Sequence, residues 1–453
     1  MDISQNTFIV VGTGISGVAA TELLLKRGAK VFLYDGNAGL DVGALRDKNP
    51  ALADVEILLE VVPKEVLSQV NVAVLSPGVP TDIPLVDSFR DYGIAIWGEI
   101  ELAYVCGKGR IVAITGTNGK TTTTSLVGHI MSGFFSKVNV VGNIGIPYTK
   151  VVDEMTDDTV VVAEISSFQL ETTVTFAPKV SAILNITPDH LNRHHTMENY
   201  IAAKESITKN QGEEDICVLN YNDFVLRAFG EQLTQRVVFF SSTEELSEGL
   251  YVKNHHIVWA RDGIVEDIID VDEMQILGAH NHENAMAAIA ICHGMGVPMD
   301  VIVSGLKTFQ AVEHRIEFVC KKNDIAFYND SKGTNPDAAI KGILAMNRKT
   351  VLIGGGYDKE STYDEWIESF GGKVKKLVLI GQTKEKIADC AKAHGFMDFE
   401  FADSLEEAID IAYETAAPGE AVLLSPACAS WGMFDNYEQR GDIFKEYVRN
   451  LKE

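Results

Sequence analysis

Strand-like apolar runs, each closed by a glycine-rich or polar turn and followed by a helical pattern, recur along the whole chain. That order restricts it to α/β layers built on parallel sheets. The first block opens with FIVVGTGISG, passes through the helical TELLLKRG to KVFLYD, and reaches about residue 98 through VAVLSPGVP and GIAIWGE. A second block begins at RIVAITGTNGK, includes TVVVAEISS and VSAILNITPDH, and ends near residues 306–312, where SGLKTFQAV gives way to EHRIEF. The third carries IAFYNDSKGTNP, TVLIGGGYDK, KLVLIGQT and AVLLSPACAS. At 453 residues the chain exceeds what one hydrophobic core organises. The expected architecture is α/β in three domains: Rossmann-like over 1–98, a central P-loop mononucleotide-binding domain over 99–311, and Rossmann-like over 312–453. Ligands of such sheets gather at the carboxyl ends of the strands, so the turns are where chemistry is sought.

The most specific turn is ITGTNGKTTTT, residues 114–124. Ile111–Thr115 reads as a strand, Gly116-Thr117-Asn118-Gly119-Lys120-Thr121 as the turn, and a helix starts about Thr121. Backbone amides and the positive end of that helix make an anion cradle. Lys120 is placed to reach the β/γ-phosphates of a nucleotide, and Thr121 to offer a hydroxyl to Mg²⁺. The glycines are spaced more tightly than in the usual Walker A pattern. A second glycine turn, Gly12-Thr13-Gly14-Ile15-Ser16-Gly17, fits GxGxxG, with Asp35 at the end of the following strand. A dinucleotide, another diphosphate such as a UDP-sugar, and a purely structural turn all satisfy that pattern. Asp35 is either a ribose or base contact or a strand-end cap.

Other strands end in groups suited to a metal-bound phosphate. VVVAEISSFQLE puts Glu164 directly after a buried-looking strand, and VSAILNITPDH does the same for Asp189 and His190. A carboxylate, an imidazole and a threonine oxygen are acceptable partners for Mg²⁺, which keeps several waters. Glu164 as a capping carboxylate and His190 as a locally hydrogen-bonded histidine are the plainer alternatives. His190 and His194 stand four apart, as zinc ligands do, but no further ligand motif accompanies them. Between Met197 and Asn210, the positions Tyr200, Ile201, Lys204, Ile207 and Thr208 share one helical face. A lysine on that stripe either snorkels out or is desolvated, and pattern alone favours snorkelling. Complete burial lowers a lysine pKa by roughly 3–5 units, enough to leave a reactive neutral amine at pH 7 that CO₂ converts to a carbamate.

Composition narrows the partners. The 39 basic and 64 acidic side chains give a net charge of −25 with no Lys/Arg-rich run, which disfavours nucleic acid and anionic membrane surfaces. Six scattered cysteines without CxxC spacing fit reduced thiols in the cytoplasm. MDISQNTFIVVG lacks the cationic start of a signal peptide, and no apolar run approaches the ~20 residues of a membrane span. Nothing in the sequence demands more than a monomer.

In order along the chain, ITGTNGKTT, GNIG (142–145), AEISSFQLE, LNITPDHLNRH, YIAAKESI, GAHNHENAMAA, HRIE (314–317), YNDSKGTN, IGGGYDK and LLSPACASWGMFDNYEQRG resemble the Mur ligases of peptidoglycan synthesis. The last motif and the N-terminal GTGISG are similar to the D-glutamate-adding branch. The resemblance implies a cytoplasmic, ATP-driven amide ligation in cell-wall biogenesis, on which cell shape and division depend. The γ-phosphate of ATP would pass to the carboxylate of UDP-N-acetylmuramoyl-L-alanine (UDP-MurNAc-L-Ala), and the amine of D-glutamate would attack the acyl phosphate. Carried over by motif, Gly116, Thr117, Asn118, Gly119, Lys120, Thr121, Thr122, Asn281, Asn284, Arg315 and Asp330 would hold ATP. Thr121 and Glu164 would serve one Mg²⁺, while His190 and a CO₂-derived carbamate on Lys204 would serve a second. Asn143 and His190 would orient the acyl phosphate, which makes Lys120, Glu164, His190, Lys204 and Asn143 the catalytic set. Gly14, Ile15, Ser16, Asp35, Gly78 and Asn143 would meet the UDP substrate, and Lys332, Thr334, Lys359, Ser430 and Tyr437 would hold D-glutamate. A dicarboxylate calls for two cations with hydroxyl and amide donors, which that last set supplies.

Plainer readings remain for some of these residues. Asn281 and Asn284 are also placed to cap a helix, Arg315 to form an interdomain salt bridge, and Lys332 or Lys359 to be solvated surface. Among whole-chain rivals, another Mur ligase would add a different amino acid. The D-N-P-R turn of the diamino-acid-adding members is absent, and GGGYDKE stands in its place. A folylpolyglutamate-synthase-like enzyme lacks a matching first block. A regulatory P-loop NTPase would not need the third block's pocket, and a nicotinamide dehydrogenase rests on GTGISG alone.

Overall fold

Three sheets succeed one another in the computed structural model, which describes residues 2–143, 145–276, 278–310 and 313–452. The first comprises β1 (Thr7–Val11), β2 (Lys30–Asp35), β3 (Glu56–Leu59), β4 (Val72–Leu75) and β5 (Ala95–Gly98). It is wholly parallel, in the order β3-β2-β1-β4-β5. Strand β1 is central and almost entirely buried, which is why its sequence is continuously apolar rather than alternating. The order reverses beside β1, so the GTGISG turn opens at the sheet's switch point.

The second sheet has β6 (Arg110–Thr115), β7 (Val138–Gly142), β8 (Val160–Glu164), β9 (Val180–Ile183), β10 (Ile216–Asn220) and β11 (Arg236–Ser241). It continues through β12 (Gly249–Lys253), β13 (His256–Arg261) and β14 (Ile264–Asp270). The order β14-β13-β12-β11-β10-β9-β6-β8-β7 puts the P-loop strand β6 between β9 and β8. Those three strands are parallel, so their carboxyl ends share one edge. The third sheet contains β15 (Glu317–Lys322), β16 (Ile325–Asn329), β17 (Thr350–Gly355), β18 (Val374–Ile380), β19 (Phe399–Phe401) and β20 (Ala421–Leu424). Its order is β15-β16-β20-β17-β18-β19, with only β15 antiparallel to its neighbour.

The α/β class with mostly parallel sheets is as the sequence led one to expect, and details differ at the edges. Strands β3, β7, β10, β11, β15 and β19 and the run β12–β14 were not picked out. Several are short or half-buried, and β10, though buried, is not followed by a glycine-rich turn. The P-loop helix is Lys120–Ser132, one residue earlier than expected. The helix carrying Lys204 is Met197–Glu205 and continues only as a 3₁₀ turn over Ser206–Thr208. The boundary expected between residues 311 and 312 lies outside the described residues. By packing, the chain forms two compact units, Met1–Ile268 with Glu283–Gly305 and Ile269–His282 with Leu306–Glu453. Among the described residues, no helix is long and apolar enough to cross a membrane.

Within the first unit, buried carboxylates fasten the first sheet to the second. The helix Glu99–Cys106 leaves β5 with two glutamates facing inward. Glu101 accepts from the Val174, Thr175 and Phe176 amides at 2.8, 2.8 and 3.1 Å and from Thr175 Oγ1 at 2.5 Å. Glu99 accepts from Thr149 N and Oγ1 at 2.6 and 2.8 Å. Removing such a carboxylate strands several donors at once, with the Phe176 amide fully buried among those of Glu101. Glu101→Ala is expected to lower the unfolding free energy by about 3 kcal/mol in denaturant titrations; a loss below about 0.5 kcal/mol would contradict this role.

Candidate active site

The P-loop turn is shaped by groups outside it. Gly119 has φ +83°, and a Cβ there would lie 2.4 Å from Asn284 Oδ1, so the position requires glycine. Asn284 also accepts from Thr123 Oγ1 at 3.1 Å. Asn185, just beyond β9, acts as a bracket: its Oδ1 accepts from Asn118 N at 2.8 Å and its Nδ2 donates to Asn118 O at 3.1 Å. The Thr117 amide donates to Asn185 O at 2.9 Å. Two turn amides are thus committed to the neighbouring strand end, and the anion-facing part narrows to the start of Lys120–Ser132, with its positive dipole end. Thr117 Oγ1 lies 3.0 Å from Tyr200 OH. Neither Asn185 nor Tyr200 was assigned a site role from sequence. An asparagine after a strand reads as an ordinary turn former, and Tyr200 reads as core.

Two lysines meet on this turn. Lys120 Nζ donates to Gly116 O at 2.8 Å and Thr117 O at 2.9 Å, and Lys204 Nζ donates to the same Gly116 O at 2.9 Å. Lys204 is 2% exposed and lies with Nζ 4.6 Å from the Tyr200 ring centroid. Burial, helped by the charge of Lys120, pulls its pKa down to about 7. The structure therefore decides against the snorkelling alternative. Two ammonium groups sharing one carbonyl repel each other, and an anion between or beside them relieves that.

Glu164 ends β8 in register with Ile114 of β6 and Gly142 of β7. It is 1% exposed; Oε1 accepts from Asn143 Nδ2 at 2.8 Å, whereas Oε2 is buried without a hydrogen-bond partner among the described residues. A buried, orphaned carboxylate oxygen next to the P-loop strand is a site that a hard cation satisfies, so these residues fit Mg²⁺. His190 adopts φ +52° and is half exposed, with Nε2 3.4 Å from Asp189 Oδ2 and its ring 4.8 Å from that of Phe168. His194 is turned inward. It holds Ser167 Oγ at 2.9 Å and Glu171 Oε1 at 3.2 Å, and burial lowers its pKa. Its nitrogens are thus spent on packing partners rather than on a zinc pair with His190.

At the first glycine turn, a Cβ on Gly17 would come within 1.9 Å of Gly12 O, so the helix there starts in direct contact with the strand end. Asp35 accepts from Thr13 N at 3.0 Å, Thr13 Oγ1 at 2.6 Å and Asn37 N at 3.0 Å. Those bonds hold its pKa below the usual value against the effect of burial. The cap alternative for Asp35 is therefore realised, whatever else it contacts. Gly14 and Gly78 have open space around them, Ile15 is 76% exposed, and Ser16 is half buried. Ser76 Oγ, buried and unpartnered among the described residues, faces this turn and was missed in the sequence.

In the C-terminal unit, β16, β20 and β17 are adjacent, so the loops that follow them gather. Lys332 and Thr334 follow β16, Lys359 follows β17, Ser430 follows β20, and Tyr437 begins the helix Tyr437–Asn450. Arg440, fully buried and not anticipated, ties these loops: it donates to Ser331 Oγ at 2.9 Å, Ser331 O at 2.8 Å and Cys428 O at 3.2 Å. Asp330 accepts from Ser425 Oγ at 2.7 Å and Ile316 N at 3.3 Å, and burial raises its pKa to about 7 against the pull of those bonds and of Arg315. Asn281 and Arg315 also belong to this unit, whereas Asn284 packs with the P-loop in the first.

The chain matches three family models in sequence order. They are the Mur ligase MurD-like N-terminal domain over residues 6–98, the Mur ligase middle domain over 114–292, and the Mur ligase glutamate ligase domain over 314–428. It is 54% identical to the UDP-N-acetylmuramoylalanine–D-glutamate ligase of Lachnoclostridium phytofermentans, with all of both chains covered. The ligase of the same name from Clostridioides difficile is 43% identical, again over the whole of each chain. Among solved structures, the UDP-N-acetylmuramate-alanine ligase of Thermotoga maritima aligns with a TM-score of 0.58 at 19% identity, covering 99% of this chain and 100% of that one. The MurF ligase of Thermotoga maritima, in complex with ADP, gives 0.56 at 18% identity, covering 83% and 95%. At such identities these two show a shared fold.

The raised pKa of Asp330 makes the stability of the fold depend on pH. Its folded value of about 7 exceeds the unfolded 3.8, so the folded chain holds the extra proton between them. That contribution is complete below about 3.8 and is lost as pH climbs through about 7. Relative to Asp330→Asn, the unmodified protein is expected to lose stability across that window by up to about 1.4 kcal/mol per pH unit. A pH-independent difference between the two melting curves would contradict it.

Proposed function

Because this chain belongs to the Mur ligase family, we propose that it joins D-glutamate to UDP-MurNAc-L-Ala at the expense of ATP, through an acyl phosphate, in peptidoglycan precursor synthesis. The observation that carries the chemistry is the meeting of Lys120 and Lys204 on Gly116 O, on the same sheet edge as the orphaned Glu164 carboxylate. A phosphoryl donor needs such an arrangement, because catalysis of its transfer is mostly positioning and charge stabilisation. The ADP bound to the Thermotoga maritima MurF ligase supports ATP as the donor.

In this reading Lys120 exchanges its loop carbonyls for the β/γ-phosphates, with Gly116, Thr117, Asn118, Gly119, Thr121 and Thr122 around them. Asn281, Asn284, Arg315 and Asp330 serve the rest of the nucleotide. Thr121 and Glu164 would hold one Mg²⁺, and His190 and carbamylated Lys204 a second, each of which would supply positive charge to offset that of the phosphates. A pKa near 7 supports the carbamate: a large share of Lys204 is a neutral amine at neutral pH, able to bond CO₂ carbon and release a proton. Asn143, already bonded to Glu164, would orient the reacting acid together with His190.

Gly14, Ile15, Ser16 and Gly78 would take the UDP moiety on the turn that Asp35 secures, with Ser76 Oγ offering one more donor. The substrate carboxylate attacks the γ-phosphorus and ADP leaves. The amine of D-glutamate, held by Lys332, Thr334, Lys359, Ser430 and Tyr437, then attacks the acyl carbon; phosphate departs and the amine gives up a proton. The domains serving these steps are 1–98 for the UDP substrate, 99–311 for ATP and 312–453 for the amino acid. The enzyme acts as a cytoplasmic monomer.

Phosphate release should require ATP, UDP-MurNAc-L-Ala and D-glutamate together, with L-glutamate unable to replace the D form. Steady hydrolysis indifferent to both acceptors would instead mark a regulatory NTPase. Lys204→Ala should lose about 100-fold or more in kcat and recover part of it with added short carboxylates that stand in for the carbamate. No recovery would leave Lys204 a structural lysine.

A further inference from the structure

Both lysines given above to D-glutamate rest on aromatic faces. Lys359 Nζ lies 4.7 Å from the centroid of the Trp431 ring, and Lys332 Nζ lies 5.5 Å from that of Tyr437. Trp431 is itself met edge-on by Tyr357, with ring centroids 5.6 Å apart at 63°. The two loops concerned are stitched by a backbone bond, Tyr357 N to Ala429 O at 2.9 Å, which keeps the aromatic pair and the lysine in one place. Among the described residues Lys359 has no ion pair, and its neighbour Asp358 is taken by Lys386 at 3.0 Å. Yet Trp431 is 53% exposed, an unusual place to spend an indole unless its face is used.

We propose that Trp431 is a positioning residue for the amino-acid substrate: its indole face holds the Lys359 ammonium where a carboxylate of the incoming dicarboxylic amino acid meets it. The inference rests on the D-glutamate reading above. A lysine has four rotatable bonds and loses that freedom when it fixes a ligand. A ring that already localises the ammonium removes part of the loss, and the contact strengthens when the bound acid excludes water from it. The same ring leaves the outer side of the ammonium open, so it orients the charge without neutralising it, as an acidic partner would. Affinity for the amino acid should therefore depend on Trp431 while the phosphoryl step does not.

The protein supplies its own reporter. Trp97, Trp259 and Trp366 are 8%, 6% and 0% exposed, so quenchable tryptophan emission comes from Trp431. In the full-length protein with UDP-MurNAc-L-Ala and a non-hydrolysable ATP analogue, D-glutamate should shift that emission and shield it from acrylamide, and Trp431→Phe should abolish the shift. In steady-state assays, Trp431→Leu should raise KM for D-glutamate about 10-fold, the size of one cation–π contact. Its kcat, and KM for the other two substrates, should stay within about 2-fold, and Trp431→Phe, which keeps a flat ring, should restore most of the KM. Unchanged KM in Trp431→Leu, an emission blind to D-glutamate, or a rise in all three KM values alongside a lower Tm would overturn the inference alone. Failure of the unmodified protein to use D-glutamate would overturn the reading beneath it and this inference together.

Discussion

The structure turns on the carbonyl of Gly116, where two lysine nitrogens arrive from different elements. Lys120 comes from the P-loop helix itself, and Lys204 from the buried face of a helix that follows β9. Two like charges on one carbonyl repel each other. Lys204 has no room to snorkel, and its pKa of about 7 is the cost of that enclosure. Much of the surrounding polar architecture serves to keep this arrangement in place. Asn185 brackets the Asn118 backbone, Tyr200 reaches Thr117 and underlies Lys204, and Asn284 leaves room at Gly119 only for a hydrogen.

The same logic of buried carboxylates with different duties runs through the first unit. Glu101 accepts from amides and a hydroxyl on both oxygens and Glu99 on one, and both act as fasteners between the first two sheets. Asp35 is saturated in the same way and fixes the first glycine turn. Glu164 is not saturated, because one oxygen finds no partner among the described residues. Equivalent buried carboxylates thus differ in whether their lone pairs are used, a distinction that burial alone would miss.

What was legible in the sequence were the strand ends, because apolar runs flanked by special turns announce parallel strands and Gly-Lys-Thr announces a phosphate site. Glu164 at the end of β8 and the P-loop turn after β6 were located that way, whereas His190 lies seven residues beyond the end of β9. Periodicity put Lys204 on the right face but left its fate open, since a helical stripe does not say whether a neighbouring sheet closes over it. Asn185 and Arg440 escaped because their work is done by hydrogen bonds to backbone distant in sequence, which no local pattern encodes. Strands β12–β14 escaped for a different reason: they continue the sheet away from the P-loop strand, and no ligand-bearing turn follows them. His194 shows the converse hazard, a suggestive i, i+4 spacing that packing consumed.

In the proposed reaction the P-loop passes phosphate to a carboxylate rather than to water. UDP-MurNAc-L-Ala carrying heavy oxygen in its alanyl carboxyl group distinguishes the two. If an acyl phosphate forms and D-glutamate displaces it, each phosphate released carries one heavy oxygen from that carboxylate. Phosphate without the label, formed at the same rate, would mean that water takes the phosphoryl group, and the ligase mechanism would have to be abandoned.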